Sequence, residues 1–176
     1  MNNFDIVTVD EEITFSPDEI IVSKTDKSGK LLYANDVFCR VAEMSTDEVI
    51  GKPHNLIRHP DMPRVIFKLL WDTISKGEEI FAYVKNRSKS GKYYWVIAHV
   101  TPSYDAQGQI NGYHSNRRSP TRSAIDKISD IYKQLLIEEN KHSNRKDGLE
   151  ASEGMLQKML EDAGMTYSQF VWSLGK

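Results

Sequence analysis

Hydrophobic positions along the first 120 residues switch between a two-residue and a three-to-four-residue rhythm, and each switch predicts an element. Residues 1–18 alternate only weakly, carry Asp10-Glu11-Glu12 and close on Pro17, the pattern of an N-terminal arm that lies on the domain or on a second subunit. Residues 20–25 predict a strand, 26–29 a turn, and 31–34 the returning half of a hairpin. A helix begins at Asn35, whose side chain is able to cap it, and Val37, Phe38, Val41 and Ala42 give it one buried stripe. Ser45-Thr46-Asp47-Glu48 is a capping box, and the short helix it opens ends at Gly51, just before Pro53.

Residues 52–61, Lys-Pro-His-Asn-Leu-Ile-Arg-His-Pro-Asp, follow neither rhythm and predict a shaped loop or single turns. Asp61 is placed to cap the next helix and Pro63 to sit in its first turn. Val65, Ile66, Leu69, Leu70 and Ile74 form that helix's apolar face, and Gly77 ends it. Three strands follow at 80–86, 93–101 and 110–116, the middle one enriched in aromatic and branched residues. This order predicts an antiparallel sheet with the intervening helices over one face. Beyond Pro120, Ile125, Ile128, Ile131, Tyr132, Leu135 and Leu136 keep helical spacing to about residue 139. A polar break over 140–148 predicts a linker or tight surface loop. Met155, Leu156, Met159, Leu160 and Ala163 make another stripe, and Thr166 with Gln169 opens a last short turn. Such stripes either pack back on the sheet and on each other or form a dimer or receptor interface, because apolar helix faces must be covered.

Composition narrows the partners. With 39% hydrophobic and 27% charged residues the chain is globular in character. Its 23 basic and 25 acidic residues leave a net charge of −2, which provides no overall footprint for nucleic acid. The basic stretch 85–92 reads as a solvated hairpin turn. Cys39, the single cysteine, allows neither an intramolecular disulfide nor a cysteine metal cluster. No apolar run approaches the roughly 20 residues a spanning helix needs, and the first residues lack a signal-peptide pattern. A cytoplasmic location without direct membrane insertion is the expectation.

Catalysis is not expected. The sequence contains no phosphate-binding glycine loop, no His-Glu-x-x-His pair, no strained serine turn and no glycine-flanked cysteine. A histidine such as His59, His99 or His114 is able to ligate haem axially, which keeps haem open as an alternative. Arg58, in the Arg58-His59-Pro60-Asp61 run, has fixed donors suited to an anion or a carbonyl-rich ring, or it pairs locally with Asp61. Asn86, at the end of an apolar strand, either hydrogen-bonds a heterocycle's edge or caps a turn.

These same stretches carry a resemblance. Asn35-Asp36-x-Phe38, Gly51-Lys52-Pro53-His54-Asn55, Arg58-His59-Pro60-Asp61-Met62-Pro63, Val84-Lys85-Asn86-Arg87, Tyr94-Trp95-Val96 and Gly112-Tyr113-x-Ser115 resemble PAS domains of the aerotaxis-receptor type. They are especially similar to the stand-alone CetB-like energy-taxis group. The resemblance implies an α+β PAS fold: a five-stranded antiparallel sheet with short helices on one face, an N-terminal arm (1–18), a PAS domain (19–120) and a C-terminal helical extension (121–176). It further implies non-covalent FAD, with Asn35, Arg58, His59, Asp61 and Asn86 at the flavin-associated positions. The family's tryptophan after its Gly-Glu-Pro stretch is Ile80 here, so Phe81 or Trp95 would have to supply an aromatic wall. Light-sensing PAS domains place a cysteine in the loop that here reads Asn55-Leu56-Ile57-Arg58-His59, so no cysteinyl adduct is expected. The resemblance implies a redox or energy sensor, expected to be a homodimer whose partner is a transmembrane chemoreceptor or its cytoplasmic signalling region. A cofactor-free PAS dimerisation or adaptor module is the remaining alternative.

Overall fold

Turn chemistry sets the first hairpin. In the computed structural model, which describes residues 7–175, strands β1 (Ile21–Asp26) and β2 (Leu31–Ala34) pair antiparallel. Asp26 Oδ1 accepts from the amides of Ser28 and Lys30 at 2.8 and 3.0 Å, and Gly29 takes a φ of 81° that other residues adopt reluctantly. Asn35 then closes three bonds at once. Its carboxamide oxygen caps helix α1 (Asp36–Ala42) at the Phe38 amide and also accepts from Val22, while its amide donates to the Ile20 carbonyl. Both halves of the Ser45/Glu48 capping box are present at α2 (Thr46–Val49).

A 3-10 turn (His54–Ile57) and helix α3 (Arg64–Ile74) complete the layer over one sheet face. Strands β3 (Ile80–Arg87), β4 (Tyr93–Tyr104) and β5 (Ile110–Arg118) form the meander, and the five strands are ordered β2-β1-β5-β4-β3, with antiparallel neighbours throughout. The predicted PAS architecture is therefore the observed one. Cross-strand pairs such as Val84 with Val96 and Asn86 with Tyr94 share the helix-covered face, whereas Lys85 with Trp95 and Tyr83 with Ile97 share the other. The inner core is built from Ile21, Leu31, Phe38, Ile57, Met62, Ile66 and Ile74, all essentially buried. Each large side chain among them contributes about 1.5–3 kcal/mol.

The C-terminal helices pack back. In α4 (Arg122–Asn140), Ile128, Tyr132 and Leu135 are buried, and the Tyr132 hydroxyl donates to the Tyr83 carbonyl at 2.6 Å. Trp95, on the outer sheet face, lies 6.2 Å from the Tyr132 ring. In α6 (Tyr167–Leu174), opened by the expected Thr166/Gln169 box, Val171 and Leu174 are buried and Trp172 leans on Phe81 at 4.8 Å. The outer face of the β3–β4 half is thus roofed by the chain's own helices. Residues 9–13 of the arm run beside the start of β4, where Ile13 donates to the Tyr93 carbonyl at 2.7 Å and Tyr93 to that of Glu11 at 3.0 Å. Residues 1–6 of the arm lie outside the described residues.

Two local expectations change. Asp61 does not cap α3; its carboxylate is held by Lys85 at 2.7 Å, and Pro63 is the residue before the helix. The α3 cap comes from Glu139, near the end of α4, which accepts from the Val65 amide and from Arg64 Nε at 3.0 Å each and from the Ser152 hydroxyl at 3.1 Å. The polar break is also shorter than predicted, because Arg145–Ala163 forms α5 and Gly148 lies inside that helix. A Cβ on Gly148 would stand 2.3 Å from the Glu139 carbonyl oxygen, so glycine is what lets α5 approach α4.

Candidate functional site

A cavity of about 410 Å³ lies between the inner sheet face, the 3-10 turn and α3. That volume falls within the ordinary range for a small-molecule site. Strand alternation supplies its floor: Ser23, Val84, Asn86, Ala98, Val100 and Ser115 all project to this side. Helix α3 supplies its roof with Phe67, Leu70, Trp71 and Ile74. Trp71 stands at the rim, 40% exposed, with its ring edge-on to Tyr113 at 5.4 Å. It also explains the tight turn below it, since a Cβ on Gly29 would sit 3.2 Å from the indole.

Arg58 and Asn86 meet at this cavity through a backbone bridge between the loop and β3. The Arg58 guanidinium donates to the Met62 carbonyl at 3.1 Å and lies 4.1 Å from the centre of the Phe67 ring, a cation–π contact that holds it at the wall. Burial lowers its pKa, with the Glu139 carboxylate acting in the opposite direction. Asn86 is only 4% exposed, and its carboxamide makes no hydrogen bond to another described residue. An amide at the cavity wall is free to bond the edge of whatever occupies the cavity.

The other three expected residues stand elsewhere. Asn35 is occupied as the α1 cap, and neither it nor His59 nor Asp61 borders the cavity. His59 is buried, its Nδ1 accepts from the Asp61 amide at 3.1 Å, and burial reinforced by the Lys85 charge pushes its pKa down to about 4. His59 and Asp61 therefore shape the loop that presents Arg58. Asp61 does not pair with Arg58; its cationic partner is Lys85. Phe81 and Trp95 supply no cavity wall either, since they lie on the outer face against His99, Trp172 and Tyr132. The aromatic lining comes instead from Phe67, Trp71 and Tyr113.

Sequence reading missed the polar end of the cavity. Arg117, 2% exposed, donates from Nε to the Ser115 hydroxyl at 3.0 Å and from Nη2 to the Ser23 hydroxyl and to His54 Nε2, the last at 2.7 Å. Its Nη1 is buried without a hydrogen-bond partner. Because a guanidinium only donates, His54 Nε2 must accept and the ring proton sits on Nδ1. Burial, together with the Arg117 charge, pushes the His54 pKa down to about 3, so it is neutral at physiological pH. Burial lowers the Arg117 pKa to about 10, which still leaves it cationic. No local signal marks this cluster, because Ser23, His54 and Arg117 come together only when β1, the loop and β5 assemble.

The arrangement is an apolar slot with ring walls and three polar groups at its margin: Arg58, Asn86 and Arg117. It suits a planar heterocycle with acceptor and donor edges. His59, His99 and His114 do not border it, and the one cavity histidine, His54, has Nε2 engaged, so no described histidine is placed as an axial haem ligand. Among the described residues no cluster of three or more His, Cys, Asp or Glu is placed to hold a metal ion, and no helix is long and apolar enough to cross a membrane.

Comparison with known proteins agrees with the architecture. Residues 31–116 match the family model described as the PAS fold. The chain is 41% identical over 118 residues to the aerotaxis receptor of Escherichia coli (strain K12), covering 67% of this chain and 23% of the receptor. It is 26% identical over 99 residues to a nitrogen fixation regulatory protein of Klebsiella oxytoca, covering 56% of this chain and 20% of that protein. The chain thus spans about a quarter or less of the length of these relatives. Among solved structures, the light-state blue-light photoreceptor Aureochrome1 LOV superposes with a TM-score of 0.53 at 22% identity, over 68% of this chain and 91% of its own. A light-oxygen-voltage domain studied with a flavin analogue gives 0.53 at 19% identity, over 70% and 87%. The five-stranded domain of this chain has the PAS fold and is similar to a part of the aerotaxis receptor.

Proposed function

We propose that this chain is a redox or energy sensor that holds FAD in the cavity between the sheet and α3 and reports the cofactor's state by protein contact to a membrane chemoreceptor. The observation that carries the reading is the pairing of an apolar, aromatic-walled slot with two buried polar residues that border it, Arg117, whose Nη1 has no hydrogen-bond partner among the described residues, and Asn86. The 41% identity to the aerotaxis receptor supports the same assignment. When bound, the flavin supplies the electron-accepting chemistry. The protein contributes orientation and charge: Asn86 offers an amide to a ring edge, Arg58 and Arg117 offer positive charge, and Phe67, Trp71 and Tyr113 exclude water. We assign Asn35, His59 and Asp61 an indirect part, through the hairpin and loop that set the cavity's shape.

Output follows from what α3 touches. This helix is both a cavity wall and a partner of the C-terminal helices, through Glu139 at its first turn and through Lys68 to Glu153 at 2.7 Å. A change in charge or hydrogen bonding at the cavity is thereby conveyed to α4 and α5, which act as the reporting surface of a cytoplasmic homodimer. The test is to load the chain with FAD and measure its affinity for the receptor's cytoplasmic signalling region before and after reduction with dithionite. An affinity difference of tenfold or more is expected. Equal affinity in the two states, with flavin demonstrably bound, would refute the sensor assignment.

A further inference from the structure

Arg117 is cationic, almost wholly buried and without a carboxylate partner. Three other arginines have one: Arg64 pairs with Glu139, Arg40 with Glu19 and Arg122 with Glu12. The neighbours of Arg117 are neutral, namely two serine hydroxyls, the Nε2 of an uncharged histidine and the Phe38 ring 5.4 Å away. The two N–H groups on Nη1 find no acceptor. An isolated buried charge of this kind costs several kcal/mol, and a methionine or leucine would fill the space without that penalty. A purely structural staple between β1, β5 and the 3-10 turn would not need a net charge. The charge is useful if the cavity's guest brings the counter-charge.

We propose that Arg117 is the charge-recognising residue of the cavity, framed by Ser23, Ser115 and His54, and that it favours the more negative, reduced form of the bound heterocycle over the oxidised form. This rests on the flavin reading given above. The physical basis is that electrons added to a ring in a low-dielectric slot are stabilised by a nearby fixed cation far more than they would be in water. His54 cannot share the role, because it is neutral and spends its acceptor on Arg117. Arg58 differs in being half-buried and stacked on Phe67, which leaves it partly screened by solvent. Arg117 is thus a positioning and potential-setting group that sequence resemblance did not point to.

The experiment compares FAD-loaded wild type with Arg117→Gln and Ser23→Asp, recording flavin affinity and midpoint potential, with folding followed by far-UV circular dichroism. Arg117→Gln removes the charge, whereas Ser23→Asp leaves the guanidinium and places a carboxylate beside it, so the second variant remains informative if the first does not fold. In either variant the preference for reduced over oxidised flavin is expected to fall at least tenfold, a negative shift of about 30 mV for a two-electron couple or about 59 mV for a one-electron couple. Potentials unchanged in a folded, flavin-bound Arg117→Gln or Ser23→Asp protein would overturn the role of Arg117 while leaving the flavin site intact. Wild type that takes up no FAD would instead overturn the flavin reading, and the inference with it.

Discussion

At the scale of single residues the cavity is defined by groups whose ordinary behaviour is suppressed. His54, half-buried beside Arg117, and His59, buried, are both held neutral, with pKa values of about 3 and about 4. In the unfolded chain each would titrate near the usual histidine value of about 6.5. Below that pH the unfolded state binds protons that the folded state does not, so stability is fully present above about 6.5 and is lost as pH falls toward 4 and then 3. Denaturant titrations from pH 7.5 to 4.5 are expected to show a loss of a few kcal/mol, and His54→Gln should flatten the slope. A slope that is flat in wild type would contradict the assigned burial. Asn86 gives a second prediction. Asn86→Ala, which leaves the fold without a needed internal bond partner to lose, is expected to weaken FAD binding about tenfold with little change in melting temperature. Unchanged affinity by fluorescence titration would remove Asn86 from the site.

At the scale of elements, what was legible depended on the reach of each interaction. The caps at Asn35, Ser45 and Thr166 involve residues three apart and could be read directly. The strands, the apolar face of α3 and the overall sheet-and-helix order were equally local. The cap of α3 was not legible, because its acceptor lies 74 residues further along the chain. Nor was the burial of Gly148, which a polar neighbourhood disguised as a loop. Of the cavity, Arg58 and Asn86 were singled out by their own chemistry and by the resemblance, while Trp71, His54 and Arg117 were given no role, since β5 must pair with both β1 and β4 before Arg117 faces the loop. Both long-range features carry predictions. Glu139→Ala strips three donors of a buried acceptor and is expected to cost about 3 kcal/mol in urea unfolding, with Glu139→Gln costing less. Gly148→Ala should gain up to about 1 kcal/mol of helix propensity yet lose more by forcing α5 from α4, for a net loss of about 1–2 kcal/mol. A stabilised Gly148→Ala protein would show that the helices do not pack this closely.

At the scale of the whole molecule, the sheet is covered on both sides, but for different purposes. One layer, α1 to α3, encloses a cavity; the other, α4 and α6, is packed tightly through Tyr132 on Tyr83 and Trp172 on Phe81. Helix α3 joins the two, because it walls the cavity and is capped from the C-terminal layer. A guest that alters the wall acts directly on an element tied to the proposed reporting surface. Everything in this scheme depends on a planar flavin occupying the space above Asn86 and beside Arg117. The most direct measurement is the absorption spectrum of the purified chain after incubation with FAD and removal of free cofactor, followed by extraction and identification of what remains bound. The account predicts two near-visible flavin bands at close to one FAD per chain, diminished in Asn86→Ala. A colourless, folded wild-type protein after that treatment would contradict it.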